Sequence, residues 1–561
     1  MVSSNMSRRW ALMVPAVVLM LSPLWTPHVQ TLAGQNLFIT PDSLILFGLA
    51  IAAGILAEFF LPKSYDPQFK SAILWVRFHF KWIAVFFLLA LFTGLIAANR
   101  FILHSFMNSA DEHSCYFLAE CIKRGKFWAT PHPMSEFFEA VHVGNKNGKW
   151  FSVYPPGWPL LMAAGLKAQI LDYVNPALTI VSLIFIYLAA KKLFGSLIAA
   201  FGIFLAAVTP FFIFNGASYS SHASCLLMIG IFLYGYLKWD ESQSQFWAFI
   251  SAFAVGYGLG TRYLTMASIA APFLIYKFIR LLTKKEKWSR SHTVFGCVLL
   301  IVLGLNFYYN FAITGNPLDA PNHFHHSWER LGFKKDYSPV TALVFVSARF
   351  FYLIDWVPAA FVVLYLISLA RKKPDSPYQQ LFRYGFVYLA VGYMFYYSWG
   401  GNQYGPRYYI EGLPFMFIAL SHSIVDWWGK GSAAFRRFAL GIVVASLLGN
   451  VYLFQKQAVF FERVSQQRKA LYELADKSIA KPSIVFVRGF LGDALVMSQE
   501  DAVRNSPSLD GKILYALDLG EKNRMLKTYY PDRDFYIGTY DRKLKLPKLE
   551  SYPNGELNAQ V

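Results

Sequence analysis

The chain has 561 residues, of which 55% are hydrophobic and only 15% are charged, with a mean hydropathy of +0.36. A soluble domain of ordinary composition carries about 25% charged residues, so a soluble fold is excluded for most of this chain. The net charge of +19 would suit a nucleic-acid binder if it were clustered, and four cysteines are too few for a disulfide scaffold. The composition indicates a polytopic membrane protein.

Apolar runs of about 18 residues or more recur over most of the first 455 residues, and runs of this length predict membrane-spanning helices. We predict an all-α polytopic membrane protein with about 13 transmembrane helices, followed by a small α/β domain. The predicted spans lie at 10–24, 43–62, 82–99, 174–190, 196–214, 221–237, 246–260, 264–282, 293–312, 351–370, 383–398, 409–425 and 437–454.

Basic residues are concentrated in every second connection between the predicted spans. These connections hold 22 Lys and Arg residues against six acids, a surplus of 16 out of the net charge of +19. Lys and Arg are retained on the cytoplasmic side of a membrane, so the basicity reports topology and nucleic acid is not an expected partner. The larger segments on the opposite side are then extracytoplasmic, at 100–173, 313–350 and 455–561.

The predicted organisation has four parts. Residues 1–99 form N-terminal transmembrane helices, 100–173 form a large external loop, and 174–454 form a helix bundle that includes the external loop 313–350. Residues 455–561 form the extracytoplasmic α/β domain. That domain carries no phosphate loop, metal-ligand spacing or nucleophile elbow, so we expect a cover or an acceptor-docking surface. Its predicted elements are helices at about 459–479 and 521–529 and strands at 483–488, 513–517 and 535–540.

Two adjacent carboxylates, Asp111 and Glu112, follow the third predicted span at the outer membrane interface. A carboxylate placed there can accept the proton of an attacking hydroxyl or position a donor group, if its surroundings set its pKa suitably. Acidic residues are also common in the first turn of a helix, where the dipole and the free amides favour them. Taken alone, this acidic dyad favours a helix N-terminus over a catalytic pair.

The segment from Asn147 to Pro159 combines a turn, a short extended run and a Pro- and Gly-stiffened start of an apolar helix. Non-helical backbone at membrane depth is tolerated only where protein or a water-filled cavity satisfies it. Trp and Tyr also gather at membrane interfaces as anchors. The segment is therefore either the wall of a cavity or an aromatic anchor.

Three arginines, Arg262, Arg349 and Arg407, lie at or near the outer ends of predicted spans, where basic residues are otherwise scarce. A charge at this depth needs local compensation, and a lipid phosphate or pyrophosphate matches the guanidinium fork. The alternative is a structural ion pair with Glu411, Asp355 or the acidic dyad. We favour a functional role for Arg407 and a structural role for Arg349.

The histidines give weaker signals. Asn322-His323-Phe324-His325-His326 has side chains that can bind metals, but it lacks the carboxylate or Cys spacing of a defined site. A solvated loop is the favoured interpretation, and no metal ligands are predicted. His142 and His222 are single histidines that we interpret as packing or interface residues.

Together these motifs resemble the bacterial GT-C membrane glycosyltransferases, in particular the protein O-mannosyltransferase group and the lipid A aminoarabinose transferase. The resemblance covers roughly residues 80–455 in organisation. It rests on the acidic dyad in the first large external loop, on the segment Lys149 to Pro159, on Gly315-Asn316-Pro317-Leu318 after a middle span, and on Gly405-Pro406-Arg407-Tyr408 opening a late span.

The resemblance implies transfer of a sugar from a polyprenyl-phosphate donor to a hydroxyl of a lipid, cell-envelope glycan or protein outside the cytoplasm, with inversion, in a bacterial inner membrane. It implies that Asp111 is the base or the acceptor-positioning carboxylate and that Glu112 is its partner. It names no certain cofactor and leaves a divalent cation open. The substrate-binding residues to which it points are Lys149, Tyr154, Pro156, Arg262, Arg407 and Tyr408.

Two other classes compete with this hypothesis. A polytopic transporter or lipid flippase would also explain the span count and the intramembrane charges, but the paired repeats and matching broken helices of many transporters are not found in the sequence. A non-catalytic scaffold that presents residues 455–561 is the third class.

Overall fold

The structure is a computed structural model that describes residues 41–61, 65–326, 331–334, 337–370, 376–398, 400–402, 404–488, 498–541 and 546–552. The predicted span at 10–24 lies outside the described residues. Within them, seven helices are long and apolar enough to cross a membrane, or eight if one bent pair counts as a single span. The chain is a multi-pass membrane protein, but the predicted count of about 13 is not confirmed.

The first part of the chain leads from three helices into a segment of mixed secondary structure. The helices α1 to α3 are followed by a π-helical turn, Ala98–Ile102, and then by a helix, a β-hairpin and a second helix. The elements are α1 Pro41–Phe60, α2 Tyr65–Phe78, α3 Phe80–Ala97, α4 Ala110–Lys123, β1 Val143–Lys146, β2 Lys149–Ser152 and α5 Gly157–Lys167.

The bundle contains long helices and broken ones. α7 and α8 are bent by 71° at the break between them, and Pro210 at the first position of α8 suits a new helix start. The elements are α6 Leu171–Phe194, α7 Ser196–Ala207, α8 Pro210–Ala217, α9 His222–Ser242, α10 Gln245–Leu282, α11 Arg290–Thr314, α12 Pro321–His325, α13 Pro339–Leu353, α14 Ala359–Leu369, α15 Pro377–Arg383, α16 Gly385–Gly392, β3 Gly401–Asn402, β4 Gly405–Pro406, α17 Leu413–Lys430 and α18 Ala433–Ser478.

α10 consists of two arms that fold against each other. The backbone of Arg262 is not helical, with φ −145° and ψ 82°. The side chain of Met266 comes within 2.8 Å of the Cβ position of Gly258, although eight residues of straight helix would separate the two positions by about 12 Å. The predicted spans 246–260 and 264–282 correspond to these two arms, with Arg262 at the turn.

The predicted external loop 313–350 is partly helical, because it contains α12 and most of α13. The predicted span 351–370 is in turn divided into the end of α13, an irregular segment and α14. Pro358 explains the division, since proline lacks the N–H group that a continuous helix needs and disfavours helical backbone in the residue before it. Irregular backbone is accommodated here because Trp356 and Val357 are buried in the protein.

α18 carries the chain from the bundle to a separate sheet. Its 46 residues correspond to about 69 Å at the rise of an α-helix, roughly twice the thickness of a hydrocarbon core. The composition changes at residue 455, but the helix continues through that point. The remaining elements are β5 Ser483–Val487, α19 Gln499–Ala502, β6 Ile513–Leu517, α20 Asn523–Tyr529, β7 Asp534–Asp541 and β8 Leu546–Ser551.

The sheet has the strand order β6-β5-β7-β8, with β5 parallel to β6 and β7, and β8 antiparallel to β7. The three strands predicted from the sequence are therefore present, and β8 is an additional edge strand. One face of the sheet shares a hydrophobic core with the external loop, in which Phe137 and Phe151 belong to the same cluster as Phe486 and Leu514. The loop and the sheet are thus packed as one unit.

Candidate active site

A small cavity lies where α4, α9, the turn of α10 and the segment after β4 converge. It contains four of the residues that the sequence predicted, Asp111, Tyr154, Arg262 and Arg407. Its lining residues are Ser109, Asp111, Cys115, Tyr154, Asn215, Ser220, Ser221, His222, Arg262, Tyr404 and Arg407.

Asp111 is held on both of its carboxylate oxygens. Arg407 forms an ion pair with Oδ2, while the hydroxyl of Tyr154 donates to Oδ1 at 2.5 Å. His142 Nε2 lies 3.3 Å from the same Oδ1. Both Asp111 and Arg407 are about one-fifth exposed, so the pair faces the cavity while it is anchored in the protein. This is a carboxylate fixed beside a cation at the wall of the cavity.

The position of Asp111 follows from the local sequence of α4. Ser109 is the N-cap of the helix, and its side chain accepts a hydrogen bond from the amide of Glu112 at 3.3 Å. Glu112 Oε2 accepts in return from the amide of Ser109 at 2.8 Å, which completes a capping box. The cap fixes the first helical turn, and Asp111 is the residue of that turn that points into the cavity.

Glu112 points away from the cavity and is fully buried. Its Oε1 accepts from the amide of Tyr219 at 2.8 Å and from the hydroxyl of Tyr404 at 3.3 Å. Burial raises the pKa of Glu112 above its ordinary value, against the opposing effect of the hydrogen bonds from Tyr219 and Ser109. Glu112 therefore has the role in the helix N-terminus that the sequence favoured over catalysis. Its oxygens accept hydrogen bonds from the N-cap Ser109 and from Tyr219 in the loop before α9.

Arg262 forms an ion pair with Glu411, one of the structural partners that the sequence analysis named as the alternative to a phosphate. Its Nε lies 3.2 Å from Glu411 Oε1, and its other nitrogens donate to Ser221 Oγ and to the hydroxyl of Tyr393, each at 3.1 Å. His222 Nδ1 lies 2.9 Å from the same carboxylate oxygen. Glu411 thereby compensates Arg262, which leaves Arg407 as the more exposed cation of the cavity.

Tyr408 lies beside the cavity in an aromatic stack. Its ring is parallel to that of Tyr393, with centroids 4.3 Å apart, and the guanidinium groups of Arg262, Arg349 and Arg407 lie 5.5 to 5.8 Å from its centroid. Arg349 is fully buried and donates to the carbonyls of Tyr393 and Ser398. The structural role that the sequence favoured for Arg349 agrees with these contacts.

Gly405 explains why the Gly-Pro-Arg-Tyr motif begins with glycine. Its φ is +79°, and a Cβ on this residue would lie 2.9 Å from the indole of Trp356. A side chain would therefore be both strained and in collision. This close approach sets the direction in which the chain enters the turn Arg407–Gly412, and so it places Arg407 over Asp111.

Besides Tyr408, two predicted substrate-binding residues are not among the residues that line the cavity. Lys149 Nζ donates to the carbonyls of Ala312 and Ile313 at the end of α11, at 2.6 and 3.4 Å, where a cation is favourable for the helix dipole. Pro156 is the N-cap of α5. Both residues support the wall that carries Tyr154.

His142 is a residue of the site that the sequence assigned to packing. Ser114 of α4 donates to its carbonyl at 2.5 Å, and its φ of 63° turns the chain back before β1. These contacts bring the imidazole to Asp111, 31 positions earlier in the chain. His222, Ser220, Ser221, Asn215 and Tyr404 were also missed as lining residues, since no local pattern links them.

The histidine cluster approaches this region from the other side. The ring of His326 lies 6.1 Å from that of His142, and the rings of His325 and His326 are 4.2 Å apart. Burial and the neighbouring cations lower the pKa of His325 to about 4. In the part of the chain that the structure describes, no three His, Cys, Asp or Glu side chains are arranged to hold a metal ion.

Comparison with known proteins relates the chain to one group. Residues 167–309 match the family model described as dolichyl-phosphate-mannose-protein mannosyltransferase. The fold is similar to that of ArnT from Cupriavidus metallidurans in the apo state, with a TM-score of 0.50 and 13% identity over 82% of this chain and 93% of ArnT. At this identity the likeness shows the fold. No curated protein sequence matches the chain.

Two further solved structures are similar to the chain at lower scores. ArnT from the same organism bound to undecaprenyl phosphate has a TM-score of 0.47 and 12% identity, over 81% of this chain and 93% of that protein. The oligosaccharyltransferase of Archaeoglobus fulgidus in the apo form has a TM-score of 0.44 and 12% identity, over 80% and 69% of the two chains.

Proposed function

We propose that the chain is a GT-C glycosyltransferase that transfers a sugar from a polyprenyl-phosphate donor to an extracytoplasmic hydroxyl. The match of residues 167–309 to the mannosyltransferase family model and the ArnT-like fold support this proposal. The observation that carries the proposal is the Asp111–Arg407 pair at the wall of a polar cavity. It offers a proton acceptor and a cation for a phosphate within one site.

The proposed reaction is a single displacement at the anomeric carbon. The acceptor oxygen forms a bond to that carbon, the bond from the carbon to the phosphate oxygen breaks, and the hydroxyl proton passes to Asp111. Polyprenyl phosphate is the leaving group. Only one carboxylate has to act in such a step, which agrees with the buried and fully hydrogen-bonded environment of Glu112.

Arg407 is the proposed partner of the donor phosphate. A guanidinium that is only partly buried can exchange one anion for another, and a phosphate matches its geometry as well as a carboxylate does. An incoming phosphate would draw Arg407 off Asp111, which frees the carboxylate for the hydroxyl proton. The cation would then stabilise the charge that develops on the leaving group.

The positions of the other groups complete the proposal. Tyr154 and His142 hold Asp111 on the oxygen opposite Arg407, so the carboxylate keeps its orientation when the cation moves. We place the enzyme in a bacterial inner membrane, with the loop 100–173 on the extracytoplasmic side. The domain that contains the sheet β6-β5-β7-β8, here called the sheet domain, lies on the same side. The acceptor belongs to the class of lipids, cell-envelope glycans or proteins.

The test compares purified wild type with Asp111→Asn and Arg407→Gln on a panel of radiolabelled polyprenyl-phosphate sugars, with membrane extract as the source of acceptor. We expect transfer by wild type and a loss of at least about 100-fold in each variant, the usual effect of removing a catalytic base or a charge-stabilising group. Free polyprenyl phosphate and labelled product are measured together.

The chain offers a matched control for both substitutions. Arg124 and Asp510 form a solvent-exposed ion pair at 3.8 Å, and exposed pairs contribute little. We expect Asp510→Asn and Arg124→Gln to retain activity within about twofold of wild type. Equal activity of Asp111→Asn and wild type would contradict the proposal. Transport of labelled lipid into vesicles, without donor consumption, would favour the transporter alternative.

A further inference from the structure

Met107 and Asn108, which precede the helix of Asp111, are hydrogen-bonded to residues more than 350 positions later in the chain. Arg468 of α18 donates to the carbonyl of Asn108, and Arg504 donates to the carbonyl of Met107. The side-chain amide of Asn108 donates in addition to Ser465 Oγ at 2.8 Å. These contacts reach the two residues immediately before the N-cap of α4.

The two arginines belong to a buried charge cluster. Their side chains are 10% and 8% exposed, and Asp501 between them is 12% exposed. Arg504 Nη2 lies 2.6 Å from Asp501 Oδ1, and Arg468 Nη1 lies 3.6 Å from Oδ2. Burial opposes the ionisation of Asp501, but the coulombic attraction of Arg504 and Arg468 outweighs it and lowers the pKa of the carboxyl.

A cluster of this kind is poorly explained by stability alone. Removing two guanidinium groups and a carboxylate from water costs several kcal/mol per ion, and hydrophobic residues of similar size often stabilise a protein equally well. What the charged groups add is direction, because a planar guanidinium can hold a carboxylate and a backbone carbonyl at the same time. Arg468 and Arg504 each pair with the carboxylate of Asp501 and also donate to a backbone carbonyl.

We propose that Arg468 and Arg504 are positioning residues, which transmit the position of the sheet domain to Asp111 through the carbonyls of Met107 and Asn108. The inference rests on the proposed role of Asp111. The segment between these carbonyls and Asp111 is short, because Asn108 is followed by the N-cap Ser109 and Asp111 is the second residue of α4. A rotation of this turn would carry the carboxylate away from Tyr154 and His142.

The cation of the pair lies on a different segment of the chain. Arg407 is placed by the turn after β4, which packs on Trp356 of the bundle. Ser465, Arg468 and Arg504 thus act on the reaction through their hold on the segment that precedes Asp111.

The experiment compares Arg504→Gln and Arg468→Gln with a control arginine of the same domain. Arg533 donates to three backbone carbonyls, of Ser483, Lys512 and Gly511, but it contacts neither the loop nor Asp111. Arg533→Gln therefore tests whether loosening the sheet is sufficient. For each protein, kcat, the KM of the donor and the Tm in detergent are measured.

We expect Arg504→Gln and Arg468→Gln to lower kcat by at least about tenfold, since a misplacement of 1 Å costs up to about 100-fold, while the donor KM stays within about twofold. Arg504→Lys retains a donor for the carbonyl and is expected to recover part of the rate. Arg533→Gln is expected to lower the Tm without changing kcat. A normal kcat in Arg504→Gln, or an equal loss in Arg533→Gln, would overturn the proposal.

Amide hydrogen exchange on the same proteins separates this inference from the proposed function. Exchange at residues 107–112 requires no donor, and we expect it to be faster in Arg504→Gln than in Arg533→Gln. If wild type transfers no sugar and this difference is still found, the proposed function fails while the hold on the loop stands. Equal exchange in both variants would refute the positioning role whatever the activity.

Discussion

Two adjacent carboxylates of α4 have different surroundings, although the sequence gives them equal standing. Asp111 is paired with a partly exposed arginine at a cavity, whereas Glu112 is buried and accepts backbone amides from Ser109 and Tyr219. The side chains of consecutive helical residues point about 100° apart. Asp111 therefore faces the cavity and Glu112 faces the interior.

This difference predicts opposite effects of the two amide substitutions. Glu112→Gln places an NH₂ group against backbone amides, so at least one buried donor loses its acceptor, at a cost of about 1–3 kcal/mol in the free energy of unfolding. Asp111→Asn is expected to cost less stability and to remove activity. Denaturant unfolding followed by tryptophan fluorescence measures the first effect. A Glu112→Gln enzyme as stable as wild type would contradict the capping role.

At the scale of elements, the site depends on a close approach between α5 and the turn of α10. A Cβ on Gly157 would lie 2.2 Å from Thr261 Oγ1 and 2.7 Å from the carbonyl of Gly260. The hydroxyl of Tyr257 donates to the carbonyl of Gly157 at 2.7 Å. The contact joins the wall that carries Tyr154 to the turn that carries Arg262.

We expect Gly157→Ala to push these two elements apart by the size of a methyl group and to lower kcat by about 10-fold or more, because overpacking shifts the backbone and the catalytic geometry tolerates less than 1 Å. Gly296→Ala is the matched control, since nothing lies within 4 Å of its Cβ position. It is expected to be neutral or slightly stabilising. Equal activity of both variants would show that the packing of Gly157 against Thr261 and Gly260 does not determine the geometry of the site.

At the scale of the whole molecule, the loop 100–173 and the sheet share one hydrophobic core. The ring of Phe486 in β5 lies 6.3 Å from that of Phe137 in the loop, and both side chains are fully buried in the shared core. Neither segment covers this apolar face by itself. The scaffold hypothesis, in which residues 455–561 are merely presented to a partner, finds no support in such a core.

Phe486→Ala is expected to cost about 3–5 kcal/mol, as for other buried Phe residues. It should raise hydrogen exchange in the loop 100–173 as well as in the sheet. Met525→Ala, at a residue of the same domain that is 53% exposed, is the control and should leave both regions unchanged. Exchange that increases in the sheet alone would show two independent units.

The sequence by itself determined the class of the molecule and part of its site. Apolar length, the distribution of basic residues and short motifs are local properties. They were sufficient to predict a multi-pass membrane protein and to select Asp111, Tyr154, Arg262 and Arg407, which meet at one cavity. Three of the four strands of the sheet were also predictable, because their apolar runs are short and bounded by polar turns.

Only the tertiary structure showed which groups the charged residues of the site contact. The partner of Arg407 is 296 positions away, the contact between Glu112 and Tyr219 spans 107, and that between Arg468 and Asn108 spans 360. The predicted count of about 13 spans is not confirmed, since seven or eight of the helices in the described part of the chain meet the length and composition of a span. Buried surroundings accommodate broken helices that a uniform lipid environment would not. Roles that depend on such distant contacts have no local pattern, whereas membrane insertion and capping do.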